Sequence, residues 1–106
     1  MGGEAHAALV DPAVTVVVSA ASVWEIAIKQ TIGKLSVDGR VIDHVERNGF
    51  ERLPISFEHG ERAGSLPLHH KDPFDRMLVA QAQLERLTLV TRDRHFDAYD
   101  VAVLRC

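Results

Sequence analysis

Three acidic residues, Glu25, Asp75 and Asp93, stand in separate segments of the 106-residue chain where carboxylates could gather around a metal ion. Glu25 falls in the first turns of a helical segment that follows the β-branched run Val14–Ser19. Asp93 comes just past a second strand-like run, Leu87–Thr91, and Asp75 opens the long helical segment leading into that run. In an open parallel sheet, ligands collect beyond the carboxyl ends of the strands. Right-handed crossovers bring the starts of the neighbouring helices to the same rim. A cluster formed there would offer only oxygen, which suits a hard divalent cation, Mg2+ or Mn2+, better than zinc.

Each acid also has a plainer role, and taken singly the local sequence favours that role for Glu25 and Asp75. Glu25 precedes Lys29 by four residues, the better order for a helical ion pair of about 0.3–0.5 kcal/mol. Asp75 sits where a capping-box acid would meet the positive end of a helix. Asp72 reads as an N-cap before ligation is considered. Asp93 is equally placed to cap the short turn after it. Arg76 and Arg92 flank two of these acids; solvent pairing, for Arg76 with Asp72 four residues back, is favoured over phosphate contact. His69 and His70 are adjacent in a loop and lack the i, i+4 spacing of a zinc pair. No phosphate-binding glycine loop, serine elbow or Cys/His nucleophile pairing occurs.

Composition narrows the classes. The chain supports one domain over residues 1–106, with 46% hydrophobic and 25% charged residues, as in a globular protein. A net charge of −3 provides no basic field for reading a DNA groove. It leaves room for a site whose positive charge comes from bound metal. The single cysteine, Cys106, excludes an internal disulfide framework, and a cytoplasmic, reducing setting is expected. The N-terminus does not read as a signal peptide, and no apolar run approaches the roughly 20 residues that span a bilayer. No membrane association is expected.

The elements that must position the acids read as follows. Residues 4–10 look like the end of a helix, closed by Asp11-Pro12. Val14–Ser19 is a strand whose continuous apolarity implies burial on both faces. Residues 20–30 are helical, capped by Ser19 or Ser22, with Trp24 spaced from Ile28 as a core residue. Residues 41–48 form a short amphipathic helix ended by Gly49. Leu53–Ser56 is a strand that its proline confines to an edge. Residues 57–66 are helical. Asp72, Pro73 and Asp75 occupy the cap, first and third positions of a helix running to about Arg86, which buries Phe74, Met77, Leu78, Ala82 and Leu84. Leu87–Thr91, a helical turn around 95–99 and Val101–Leu104 complete an α/β layered domain around a mainly parallel sheet.

Three blocks, in this order and spacing, exceed what composition would produce. They are Val18-Ser19-Ala20-Ala21-Ser22-Val23-Trp24-Glu25-Ile26-Ala27-Ile28-Lys29, then His69-His70-Lys71-Asp72-Pro73-Phe74-Asp75-Arg76-Met77-Leu78-Val79-Ala80-Gln81-Ala82, and Leu87-Thr88-Leu89-Val90-Thr91-Arg92-Asp93. Together they resemble the PIN-domain ribonucleases of the VapC type, toxins of bacterial toxin–antitoxin pairs. Gly33-Lys34-Leu35 and Leu53-Pro54-Ile55 also fit, so the likeness runs from about residue 4 to the C-terminus.

The resemblance implies a three-layer α/β PIN-like fold with parallel strand order 3-2-1-4-5. It further implies a Mg2+- or Mn2+-dependent endoribonuclease acting on RNA, neutralised by a small cognate antitoxin and expected to form a homodimer. By position, Glu25, Asp75 and Asp93 become its metal-binding and catalytic acids, Asp72 an accessory neighbour and Thr91 a hydroxyl beside the site. Such proteins start with a short apolar strand ending in aspartate, ahead of the part that matches residues 4–10. The expectation is therefore a PIN-like domain truncated at its N-terminus, lacking the central first strand and one of four acids, with low activity as written. The competing readings are a non-catalytic PIN-like remnant that binds an antitoxin or dimerises, and an unrelated α/β domain whose acids are caps and surface pairs.

Overall fold

Local capping chemistry decides where the chain starts and stops each helix in the computed structural model, which describes residues 13–69, 72–91 and 94–105. The helix end expected over residues 4–10, together with His70, Lys71, Arg92, Asp93 and Cys106, lies outside the described residues. The chain divides into two compact units, one spanning Thr15–Ile55 and the other containing the described residues from Ser56 onward.

The first unit runs β1 (Val17–Ser19), α1 (Ala20–Thr31), α2 (Val41–Arg47) and β2 (Glu51–Leu53). Of the two candidate serines, Ser19 is the cap of α1: its Oγ accepts the Ala21 N–H at 3.0 Å. Gly49, at φ 70°, turns the chain out of α2 in a conformation that a Cβ would oppose. β1 and β2 pair in parallel, Val17 opposite Glu51 and Ser19 opposite Leu53. β2 therefore lies earlier than the Leu53–Ser56 run, because Pro54 has no N–H to give the ladder and the strand ends before it. Val17 and Val18 are half-buried rather than enclosed on both faces. Trp24, expected in the core, is 61% exposed. Its helical spacing identified a face, but spacing does not say what that face meets. An apolar groove of about 340 Å³ opens within this unit, lined by Val18, Val23, Ile42, Val45 and Leu53 among others.

The second unit runs α3 (Phe57–Ser65), α4 (Pro73–Glu85), β3 (Leu89–Thr91), a 3-10 turn (Arg94–Ala98) and β4 (Val103–Arg105). β3 and β4 pair in parallel, Leu89 opposite Val103. Ala63, Leu66, Val79, Ala80, Phe96 and Tyr99 form the core. The buried face of α4 is turned relative to the one read from sequence. Val79 and Ala80 are fully enclosed and Ala82 nearly so, whereas Leu84 is 37% exposed and Phe74, Met77 and Leu78 are half-buried. Ala80 shares a cluster with Ala63 of α3, and small residues at a helix contact allow close approach of the backbones. Ala82 is thus buried as expected and Met77 packs against the core, and size alone misplaced Leu84.

Helices and short parallel strands make this a mixed α/β protein, as expected. The strand pairs are β1–β2 and β3–β4. Replacing Val79 by alanine should cost about 2 kcal/mol in urea unfolding, and Leu84→Ala less than about 1 kcal/mol. The opposite ranking would return the core face of α4 to the Leu84 side.

Candidate functional site

The N-terminal end of α4 carries two of the candidate acids in different roles. Asp72 is the N-cap, its Oδ1 accepting the N–H groups of Phe74 at 2.9 Å and Asp75 at 3.2 Å. Pro73 takes the first helical position, where its missing N–H costs no hydrogen bond. Asp75 follows in the first turn, half-buried. The positive end of the helix dipole favours a charged carboxylate there.

Arg76 differs from the surface partner of Asp72 that the sequence favoured. Only 8% of it is exposed. Its Nη2 donates to the carbonyls of Ala63 at 2.9 Å and Leu66 at 3.0 Å, and at 3.4 Å to that of Gly64. Its Nη1 donates to the Pro67 carbonyl at 3.1 Å. These carbonyls close the C-terminal end of α3, where the last turn leaves acceptors without helical partners and a cation opposes the negative dipole end. Tyr99 adds a second bond to the same turn, its hydroxyl donating to the Pro67 carbonyl at 3.0 Å. The ring of His69 meets the Tyr99 ring edge-on, centroids 5.2 Å apart.

A second polar network ties α3 to the other end of α4. His59, 2% exposed, occupies the third position of α3. Its Nδ1 accepts the Ser56 N–H at 3.0 Å, and Ser56 Oγ accepts the His59 N–H at 3.1 Å. Nδ1 also receives the Gln81 side-chain amide at 3.3 Å. Two donors on Nδ1 assign the ring proton to Nε2, which donates to Glu85 Oε1 at 2.9 Å. Sequence reading missed these positioning residues. Ser56-x-x-His59 has the spacing of a capping box, but the pattern is searched for with Glu or Gln in the last place.

The remaining candidates lie on other elements. Glu25, in α1, has a carboxylate oxygen 3.9 Å from Lys29 Nζ, so the expected surface pair is present at its outer limit. Thr91 is the last residue of β3, half-buried. Asp93 lies outside the described residues. Among the described residues, no group of three or more His, Cys, Asp or Glu is close enough to hold a metal ion. The donor types fit a hard divalent cation, carboxylates without cysteine or a spaced histidine pair.

The PIN domain pattern matches residues 2–102. The chain belongs to the PIN domain family. PIN domains are generally nucleases and typically use divalent metals, so a nuclease-type function is the coarse reading of this chain. No curated protein and no solved structure matches it. No helix among the described residues is long and apolar enough to cross a membrane.

In this PIN domain, Asp72 and Arg76 should separate by energetics. Asp72→Ala removes one cap and should cost about 1 kcal/mol in chemical unfolding. Arg76→Ala leaves several enclosed carbonyls without a donor and should cost roughly 3 kcal/mol. A cost for Arg76→Ala no larger than that for Asp72→Ala would show that water reaches those carbonyls.

Proposed function

We propose that the chain is a Mg2+- or Mn2+-dependent endoribonuclease of the VapC toxin kind. The observation that carries this reading is the PIN match over residues 2–102. The three sequence blocks that hold Glu25, Asp75 and Asp93 support the finer assignment. The proposed metal-binding acids are Glu25, Asp75 and Asp93, with Asp72 an accessory neighbour and Thr91 a hydroxyl beside them. Asp72 Oδ1 already accepts two backbone N–H groups, so its main task is to fix the turn that presents Asp75. A bound divalent cation would polarise the scissile phosphate and make an attacking water more acidic. The carboxylates orient and neutralise that cation. The partners proposed are an RNA substrate, a small cognate antitoxin and a second copy of the chain, all in the cytoplasm.

A second reading, a PIN-like module that binds an antitoxin or dimerises without cutting RNA, is favoured by one observation. Trp24 and Ile28 of α1 and Ile32 at its C-cap recur every four residues, and all three are exposed. Exposed apolar rows of this kind mark surfaces that meet another protein.

The deciding assay incubates the chain with RNA and Mn2+ or Mg2+, both alone and preceded by any in-frame residues encoded upstream. Metal-dependent cleavage is expected in at least one form, and Asp93→Asn or Asp75→Asn should lower it by about a hundredfold or more. If both forms are folded and inert on every RNA tried, the module reading replaces the nuclease.

A further inference from the structure

We propose that the loop Leu68–His69 is a nucleobase-binding edge, on which the His69 ring stacks against a base of single-stranded RNA. The inference rests on the nuclease reading and deepens it by assigning a contact for the substrate strand. The loop is exposed but not loose. The Pro67 carbonyl is held from two sides, by Arg76 Nη1 at 3.1 Å and Tyr99 Oη at 3.0 Å. Arg76 is the residue directly after Asp75, so the turn is anchored on the same helical end that carries the acid.

The His69 ring is oriented by Tyr99, which is itself buried in the core. The rings lie at 72°, and such an edge contact covers at most one of the two imidazole faces. Beside it Leu68 is 77% exposed. A single exposed leucine is ordinary; one next to an exposed, oriented ring on an anchored turn makes an apolar platform. His69 precedes Asp72 by three residues, so their Cα atoms lie within about 11 Å. A base on the loop and a phosphate near the acids would thus belong to one short stretch of strand.

Charge points the same way. The chain carries a net charge of −3, and the guanidinium of Arg76, next to Asp75, is enclosed by carbonyls. Stacking binds a strand without adding cations and tolerates any base, because every base has a π-face. A turn held in place before binding also loses less freedom when the strand arrives.

The test measures binding of a fluorescein-labelled, unstructured oligoribonucleotide to the 106-residue chain in EDTA, so that cleavage does not enter. His69→Ala should weaken binding about tenfold, His69→Phe should retain it, and Leu68→Ser should weaken it about threefold. The slope of log affinity against log salt should be the same for wild type and His69→Ala, because no phosphate contact is lost. A shallower slope in His69→Ala overturns the proposal in favour of a charged phosphate contact. Wild-type affinity in His69→Ala overturns it while leaving the nuclease reading intact. Absence of RNA binding by the wild-type chain overturns it too, and leaves the nuclease reading to the metal-dependent cleavage assay. Should His69→Ala fail to fold, His69→Phe and Leu68→Ser decide by the same measurement. A change in sedimentation of either variant, with RNA affinity unchanged, would make the loop a protein interface and overturn the proposal.

Discussion

The guanidinium of Arg76 closes the end of one helix from the beginning of the next, and much of the second unit depends on that joint. Its donors reach the carbonyls of Ala63, Leu66 and Pro67 from the first turn of α4. A chain leaving a helix normally loses its last acceptors to water or to a glycine cap. Here no glycine follows Ser65; Leu66 continues in extended conformation at ψ 148°. The cation supplies what the backbone does not, and it fixes the turn that precedes Asp72. With Tyr99 bonded to the same Pro67 carbonyl, the 3-10 turn is tied to the joint. The opposite end of the helix pair has its own tie, from Ser56 through His59 to Gln81 and Glu85. Two polar networks thus bracket an interface whose middle is Ala63, Val79 and Ala80.

The strands follow a different constraint. A parallel pair cannot be closed by a tight turn and needs a connection long enough to return to the starting end. β1 and β2 are joined through α1 and α2, β3 and β4 through the 3-10 turn. Each strand has only three residues, so a pair contributes few ladder bonds and relies on packing for its stability. The half-exposure of Val17, Val18 and Val90 belongs with this. Apolar runs of this kind suit strands flanked on both sides, whereas among the described residues each strand has one neighbour.

What was legible in the sequence is what local chemistry decides alone. Ser19 before Ala20, Asp72 before Pro73 and Gly49 after Asn48 act within a turn of themselves, and each cap or stop is where its residue type requires. The mixed α/β class was legible because alternation of periodicities survives shifts of a few residues in each strand. On the inward face of α4 Ala82 was legible but the exposure of Leu84 was not, because that face depends on which residue lets α3 approach, and two alanines outweigh Leu84 there. Trp24 was misread for the same reason: a helical row is a property of one segment, burial a property of two. Arg76 was read against its neighbour in sequence, Asp72, although its partners lie 9–13 residues away. The acids Glu25, Asp75 and Asp93 were legible as candidates through spacing and resemblance, whereas any convergence of theirs would be a relation among distant segments that local sequence does not carry.

The position of Arg76 also constrains how such a site could handle a polyanion. An arginine beside a carboxylate proposed to bind metal would ordinarily be the first choice for gripping phosphate, since its fork matches two oxygens at once. Turning it outward would leave the carbonyls of Ala63 and Leu66 enclosed without a donor. That loss, of order 1–3 kcal/mol for each buried group, is comparable with what one phosphate contact could return. The fold therefore keeps this cation inside, and in the proposed nuclease the acidic end of α4 would attract a nucleic acid strand by other means. A divalent ion bound as proposed would bring concentrated positive charge to the carboxylates, and exposed rings and aliphatic groups would bring affinity that does not depend on charge. For the proposed nuclease, with its net charge of −3, that division of labour would follow from the structural role of one arginine.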